Sequence, residues 1–168
     1  MRRFILLILD ILIIIAFFVL VFLIVKPQYT KYNEMVYQAN IKRNVYTARA
    51  AIEFYIAEHI GKYPKSIDEI YPYIEKLGGM VNPLTKKKIT PSEIKIFNYS
   101  LPQEYKKDDE VSENFMQKGI PGSIGIGLFI PIGDSVVKNY GVIGFMKDSC
   151  ALYYLDPAKK KHVFLVNG

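Results

Sequence analysis

The chain has 168 residues and a formal net charge of +6, and 51% of its residues are hydrophobic. This composition is typical of a folded protein and excludes a disordered one, and the single cysteine, Cys150, excludes an intramolecular disulfide. The sequence contains no metalloprotease, serine-hydrolase or nucleotide-binding motif, so we expect the protein not to be an enzyme.

The first predicted element is an apolar helix. The apolar run from Phe4 to Val25 is interrupted only by Asp10. As a helix it would be about 33 Å long, close to the thickness of the hydrocarbon core of a bilayer. A secretory signal has a shorter apolar core and a small-residue cleavage site, whereas Lys26 and Pro27 follow here. We therefore expect residues 1–27 to be a retained transmembrane anchor.

Three charged residues bear on how this segment lies in a membrane. Arg2 and Arg3 precede the apolar run, and positive charges remain on the cytoplasmic side. They predict a single-pass membrane protein with a cytoplasmic N-terminus and an extracytoplasmic head. Asp10 leaves two interpretations open: an acid tolerated near the headgroups, or an acid that meets a positive partner in an assembly of such helices.

An amphipathic helix is predicted next, at about residues 30–60. Apolar and aromatic residues recur there at spacings of three and four, and Gly61 with Pro64 provides a stop signal. Nothing between Pro27 and Gly61 breaks the helical pattern, so we expect the anchor and this segment to form one long helix. Its predicted apolar face consists of Ile41, Val45, Ala48, Ile52, Tyr55 and His59.

The remaining chain is predicted to contain a loop region at about residues 61–93 and a sheet at about residues 94–168. A short helix begins within the loop region, where Ser66 and Glu69 fit a capping box. The last two strands are expected to form an antiparallel hairpin. Helices followed by strands predict an α+β fold, with an antiparallel sheet packed on the amphipathic half of the long helix in a head of residues 28–168. The predicted strands are Ile94–Leu101, Ile124–Ile130, Val136–Phe145, Ala151–Leu155 and His162–Val166.

This order of elements, together with several local motifs, resembles the type IV pilin-like superfamily, which includes the type II secretion pseudopilins. The alanine-rich stretch at residues 48–55 looks like the family's helix ending in aromatics, and GKYPKSIDEI at residues 61–70 resembles the pseudopilin stretch after it. NPLT at residues 82–85, with its lysines, is similar to the family's N-P-aromatic-T-G-K loop. The resemblance implies a structural subunit of a pilus, secretion or DNA-uptake filament, or of its assembly complex. Homologous subunits and assembly proteins would be its partners.

The resemblance also implies assembly roles for Asp10 and Pro27. In the family, an acid lies near the start of the mature helix and a proline follows 17 residues later, the distance that separates Asp10 and Pro27 here. In this register the residue before the peptidase cut is Ile5, where the family has glycine, and a mature chain that begins at Phe4 places the acid two residues late. The peptidase site is thus degenerate. Two hypotheses stay open: a processed, N-methylated subunit of a filament, or an unprocessed single-pass module that recruits a partner.

Charged runs suggest two ligands. The runs at Lys86–Lys88 and Lys159–Lys161 could contact DNA phosphates in a DNA-uptake system, although solvated turns explain such runs more often. An acidic cluster in a predicted surface loop could bind calcium, as pseudopilin heads can, but its spacing is not that of an EF-hand. No other cofactor is expected. The acidic cluster consists of Asp108, Asp109, Glu110 and Glu113.

Overall fold

The computed structural model of the protein describes residues 2–99, 118–155, 157 and 161–167. Contacts divide the chain into two units, an N-terminal unit (Met1–Val36) and a head unit (Tyr37–Gly168). The described elements are helix α1 (Arg2–Glu58), helix α2 (Ile67–Lys76), a 3₁₀ turn (Pro91–Glu93) and strands β1 (Lys95–Tyr99), β2 (Ile124–Phe129), β3 (Asn139–Gly144), β4 (Tyr153–Leu155), β5 (Lys161–Val163) and β6 (Leu165–Asn167).

The single long helix predicted from the sequence is confirmed. Helix α1 includes Pro27 and continues beyond it to Glu58. Proline has no amide hydrogen and cannot donate to the carbonyl four residues before it. One turn later, the hydroxyl of Thr30 donates to the carbonyl of Lys26 at 3.0 Å. The helix thus tolerates the loss of one backbone hydrogen bond.

The main sheet is mixed, so the prediction of an antiparallel sheet is wrong at one pair. Its strand order is β1-β2-β3-β6. Strand β1 pairs with β2 in parallel, whereas the β2–β3 and β3–β6 pairs are antiparallel. A parallel pair needs a connection of about a dozen residues or more. The segment between Tyr99 and Ile124 is longer than that, which allows β2 to run in the same direction as β1.

The predicted C-terminal hairpin is confirmed for β4 and β5 but not for the residues after Val163. Strands β4 and β5 pair antiparallel in a separate two-stranded sheet. The apolar run that contains β5 then divides at Phe164, and β6 joins the main sheet beside β3. At this point the amide of Phe164 donates to the carbonyl of Leu152 at 2.7 Å, and the Phe164 ring packs edge-on against Tyr46. The chain therefore changes sheets at one residue.

The core of the head unit lies between α1 and the main sheet. Of the predicted apolar face of α1, Tyr55 is half-buried, and His59 is exposed because it follows the last residue of the helix. The prediction is right for the other four residues, which are fully buried: Ile41, Val45, Ala48 and Ile52. Facing side chains come from the strands and from α2: Ile124, Ile126, Leu128, Tyr140, Val142, Ile70 and Ile74.

Helix α1 and strand β3 approach closely at Gly144. A β-carbon built on Gly144 would lie 2.1 Å from Cγ2 of Ile41 and 3.3 Å from Cγ2 of Val45. Real β-carbons do not come this close to other heavy atoms, and Ile41 is fully buried. Glycine is therefore required at residue 144 for the helix to lie directly on the strand.

A polar contact also joins helix α1 to strand β3. The hydroxyl of buried Tyr140 donates to Glu53 at 3.3 Å, and Glu53 accepts a 2.7 Å hydrogen bond from Arg49 one turn earlier in α1. Burial, together with the negative charge of Glu53, raises the pKa of Tyr140 to about 12. The phenol thus stays neutral and its hydroxyl keeps a partner, as a buried polar group requires.

Within the predicted loop region, the residues after α2 form a tight turn built around Asn82. The side chain of Asn82 is buried; its Nδ2 donates to the carbonyl of Pro121 at 2.8 Å, and its Oδ1 accepts from backbone amides of its own turn. Gly122 has a φ of +78°, and a β-carbon there would lie 2.2 Å from Asn82 Oδ1. Buried Asn44 of α1 donates to the carbonyl of Val81 at 2.9 Å. The turn is thus attached to the helix and to the segment before β2.

Candidate functional site

The apolar part of α1 is exposed on every side within the N-terminal unit. The large apolar side chains from Ile8 to Val25 are each 38% to 66% exposed. An 18-residue window of α1 has a mean hydropathy of 3.4 and no buried residue. Contiguous apolar surface of this extent is rare on soluble monomers. Among the described residues, α1 is the one helix long and apolar enough to cross a membrane, so this segment is a candidate membrane span.

The structure places Asp10 inside this apolar surface. Its carboxyl is exposed and forms no hydrogen bond or ion pair with any other residue that the structure describes. An acid in apolar surroundings needs a positive or hydrogen-donating partner. The described residues provide no such partner for Asp10.

The other predicted residues of this segment do not converge with Asp10 on one site. Pro27 lies in the same helix, about 26 Å further along its axis. Arg2 lies in the first turn of α1, and the side chain of Arg3 is exposed. They mark positions along one helix.

The first lysine run is part of the turn around Asn82. Lys86 has left-handed backbone with a φ of +59°, and its amide donates to the carbonyl of Asn82 at 2.9 Å. The ammonium of Lys88 pairs with the carboxylate of Glu75, which lowers the pKa of Glu75 and raises that of Lys88. One of the three positive charges is thus already neutralised within the head unit.

The other predicted charged ligands fall largely outside the described part of the chain. Of the second lysine run, only Lys161 is described, as the first residue of β5, while Lys159 and Lys160 lie outside. Among residues 2–99, 118–155, 157 and 161–167, no group of three or more His, Cys, Asp and Glu side chains is placed to hold a metal ion. The predicted calcium cluster also lies outside the described residues: Asp108, Asp109, Glu110 and Glu113.

Sequence reasoning missed a cleft at the end of α1. The cleft has a volume of about 450 Å³ and lies between the segment after α1 and the residues before β3. Because the two walls are far apart in sequence, only the fold brings them together. The lining residues are Tyr55, Gly61, Lys62, Tyr63, Lys65, Glu69, Val136, Val137 and Lys138.

The cleft has an excess of positive charge. It is lined by three exposed lysines and by one acid, Glu69. The carboxylate of Glu69 accepts a 2.7 Å hydrogen bond from the amide of Lys65. Burial raises the pKa of Tyr55, and the nearby Glu69 carboxylate raises it further.

Ser66 is the N-cap residue of α2 but makes no side-chain capping bond, so the predicted capping box does not form.

The end of α1 beside this cleft has an unusual residue in a strained position. Both helices end with the same hydrogen bond, from the amide of Gly61 to the carbonyl of Ile56 in α1 and from Gly79 to Ile74 in α2. In each helix the residue directly before this terminal glycine has a left-handed backbone, a conformation that glycine adopts at little cost. In α2 that residue is Gly78, with a φ of +93°.

In α1 the equivalent residue is Ile60, with a φ of +54°. A β-branched residue in this region is an outlier. Its side chain is 95% exposed, so no packing by the described residues of the head unit compensates for the strain. The sequence signal was an isoleucine directly before the glycine that ends the helix. The predicted stop signal consists of Gly61 and Pro64 and does not include this isoleucine.

No protein-family model matches the chain, and neither a curated protein nor a solved structure matches it.

Proposed function

We propose that the protein is a pilin-like structural subunit, anchored in a bacterial cell membrane by α1. It would belong to a pilus, type II secretion or DNA-uptake filament, or to the complex that assembles one. The observation that carries this proposal is the change in surroundings along a single helix. Its residues Ile8–Val25 are apolar and exposed all round, whereas its face from Ile41 to Ile52 is buried under the strands. A helix apolar on every side needs lipid or other helices around it.

In this proposal the charged residues of the N-terminal unit have defined roles. Arg2 and Arg3 keep the N-terminus in the cytoplasm and leave the head outside. Asp10 accepts a hydrogen bond or a charge from the N-terminus of a neighbouring subunit's helix, which fixes the register between the two helices. Its lack of a partner among the described residues supports this role.

Replacing Asp10 by alanine is expected to weaken assembly without unfolding the head. Because a hydrogen bond to a charged group contributes about 1.5–3 kcal/mol, the yield of assembled subunits in cells should fall at least about tenfold. The measurement is chemical cross-linking of multimers in intact cells, with near-UV circular dichroism of the purified chain as a check on the head. Asp10→Glu should keep most of the yield, and Leu9→Ala serves as a control at the neighbouring apolar position. Equal yields from Asp10→Ala and the wild type would remove this role.

An intact-mass measurement on the membrane-extracted protein separates the two hypotheses for its N-terminus. A filament subunit is expected to lack its first few residues and to carry an added methyl group. A chain that keeps Met1 would instead support an anchored module that recruits a partner, the alternative favoured by Ile5 in place of glycine. The control is the Asp10→Ala chain, which should give the same N-terminal processing as the wild type.

A further inference from the structure

We propose that the cleft at the end of α1 is a docking site for an acidic segment of a partner protein, with Ile60 as its apolar anchor. The cleft belongs to the head unit alone and is formed by residues that the membrane span does not contain. The inference is independent of whether the chain enters a filament.

The first support is the conformation of Ile60. The residue combines left-handed backbone with a side chain that is 95% exposed, whereas α2 uses Gly78 at the equivalent position. A strained backbone that no contact of the described residues stabilises points to a functional constraint. A large apolar side chain held out into solvent beside a cleft is suited to contact with another protein.

The second wall of the cleft includes one exposed apolar side chain, Val136, and Ile132 of the same loop is exposed as well. Ile132 is 77% exposed and Val136 is 50% exposed. Both belong to the loop that leads into the cleft-lining residues Val137 and Lys138, and turn positions in such loops usually carry Gly, Asn, Asp or Ser. Exposed branched apolar residues thus lie at or next to both walls, because Val136 lines one wall and Ile60 directly precedes Gly61 of the other.

The charges around the cleft identify the partner as acidic. Lys62, Lys65 and Lys138 line it, and Lys138 has an ion pair with Asp134 at 3.5 Å. Glu69 is the one acid among the described lining residues, so the three lysines outnumber Glu69 and Asp134 together. The cleft thus has unmatched positive charge beside an apolar anchor. An acidic segment with an apolar side chain is complementary to both features.

The same charges disfavour a second copy of this chain as the occupant. Residues 28–168 contain four more basic than acidic side chains. Two such heads would bring like charges together at a basic cleft, which weakens association. A volume of about 450 Å³ accommodates a few side chains of a peptide segment. A short acidic, partly apolar segment of a different protein is the occupant that fits.

The test is the binding of a defined peptide to the full chain in phosphatidylcholine nanodiscs, measured by fluorescence anisotropy. The probe is a labelled ten-residue peptide of alternating Glu and Leu. Two control peptides replace all Glu by Lys or all Leu by Ser. We expect the Glu–Leu peptide to bind at least about tenfold more tightly than either control. The double variant Lys62→Gln/Lys65→Gln should weaken its binding at least about tenfold, whereas Lys87→Gln, at an exposed lysine of a different turn, should not.

Ile60→Gly is the most informative variant because it should weaken peptide binding without lowering the stability of the head. Glycine relieves the left-handed backbone, so the urea midpoint of the head should stay the same or rise, while peptide binding falls at least about tenfold. Unchanged binding by Ile60→Gly would overturn the proposal, as would failure of the Glu–Leu peptide to bind. Tighter binding to phosphatidylglycerol vesicles or to a 20-base-pair DNA duplex than to the peptide would also overturn it and assign the cleft to lipid or nucleic acid.

Discussion

Gly144→Ala is expected to destabilise the head unit by about 1–3 kcal/mol, the range for overpacking a filled core. The new methyl group would lie 2.1 Å from Cγ2 of Ile41, and both residues are buried. Neither α1 nor β3 can move away freely, because β3 is paired on both sides, with β2 and with β6. The free energy of unfolding would be measured by urea titration of the full chain in detergent micelles, with the near-UV circular dichroism of the tyrosines as the signal.

A second substitution at the same contact makes this prediction specific. Ile41→Ala removes the side chain that the new methyl group meets, and by itself it should cost about 2–5 kcal/mol. The double variant Gly144→Ala/Ile41→Ala should then be less destabilised than the two single changes predict together, since residues in contact are not additive. A wild-type urea midpoint for Gly144→Ala, or strict additivity in the double variant, would contradict the close approach of helix and strand.

Asn82→Ala is expected to destabilise the head unit by about 3 kcal/mol. The change removes the donor to the carbonyl of Pro121 and the acceptor for the amides of Leu84 and Thr85, and a buried polar group without a partner costs about 1–3 kcal/mol. The measurement is again urea titration, with hydrogen exchange at the Leu84 and Thr85 amides to localise the effect.

A neighbouring threonine provides the control for Asn82→Ala. The hydroxyl of Thr85 accepts a bond from the Lys87 amide at 3.3 Å, and the residue is exposed. Thr85→Ala should therefore change the free energy of unfolding by no more than about 0.5 kcal/mol. If Asn82→Ala were as mild as Thr85→Ala, the turn would not depend on the buried amide.

Periodicity in the sequence was sufficient to predict the helical part of the fold. The spacing of Ile41, Val45, Ala48 and Ile52 identified a buried face that the structure confirms. The absence of a break in the helical pattern between Pro27 and Gly61 predicted one long helix, which α1 is. These features depend on neighbours within a few turns, and local pattern captures them.

Features set by distant residues could not be predicted. Alternation indicates a strand but not its direction, so the parallel β1–β2 pair was missed. The change of sheet at Phe164 depends on Leu152 and Tyr46, and no residue in HVFLV signals a break. Asn82 looked like an ordinary turn residue because its partner, Pro121, is remote in sequence.

The same division applies to the candidate sites. Asp10 and the two arginines before it are visible in the sequence as charges in and beside an apolar run. The cleft is not, because Val136 and Lys138 meet the segment after α1 only in the folded head. Ile60 was the one local clue to it, an apolar residue at a position that glycine usually occupies.

The order of elements along the chain sets a delay in folding. The apolar face of α1 is synthesised first, whereas β2, which contributes Ile124, Ile126 and Leu128 to the core, begins about 70 residues later, and β6, which completes the main sheet, comes last. At translation rates of about 5–20 residues per second, Ile41 to Ile52 would wait uncovered for roughly 4–14 s before β2 emerges. Contacts of such wide separation also form slowly. During this interval the nascent chain presents an amphipathic helix without its sheet, which is the kind of surface that chaperones bind.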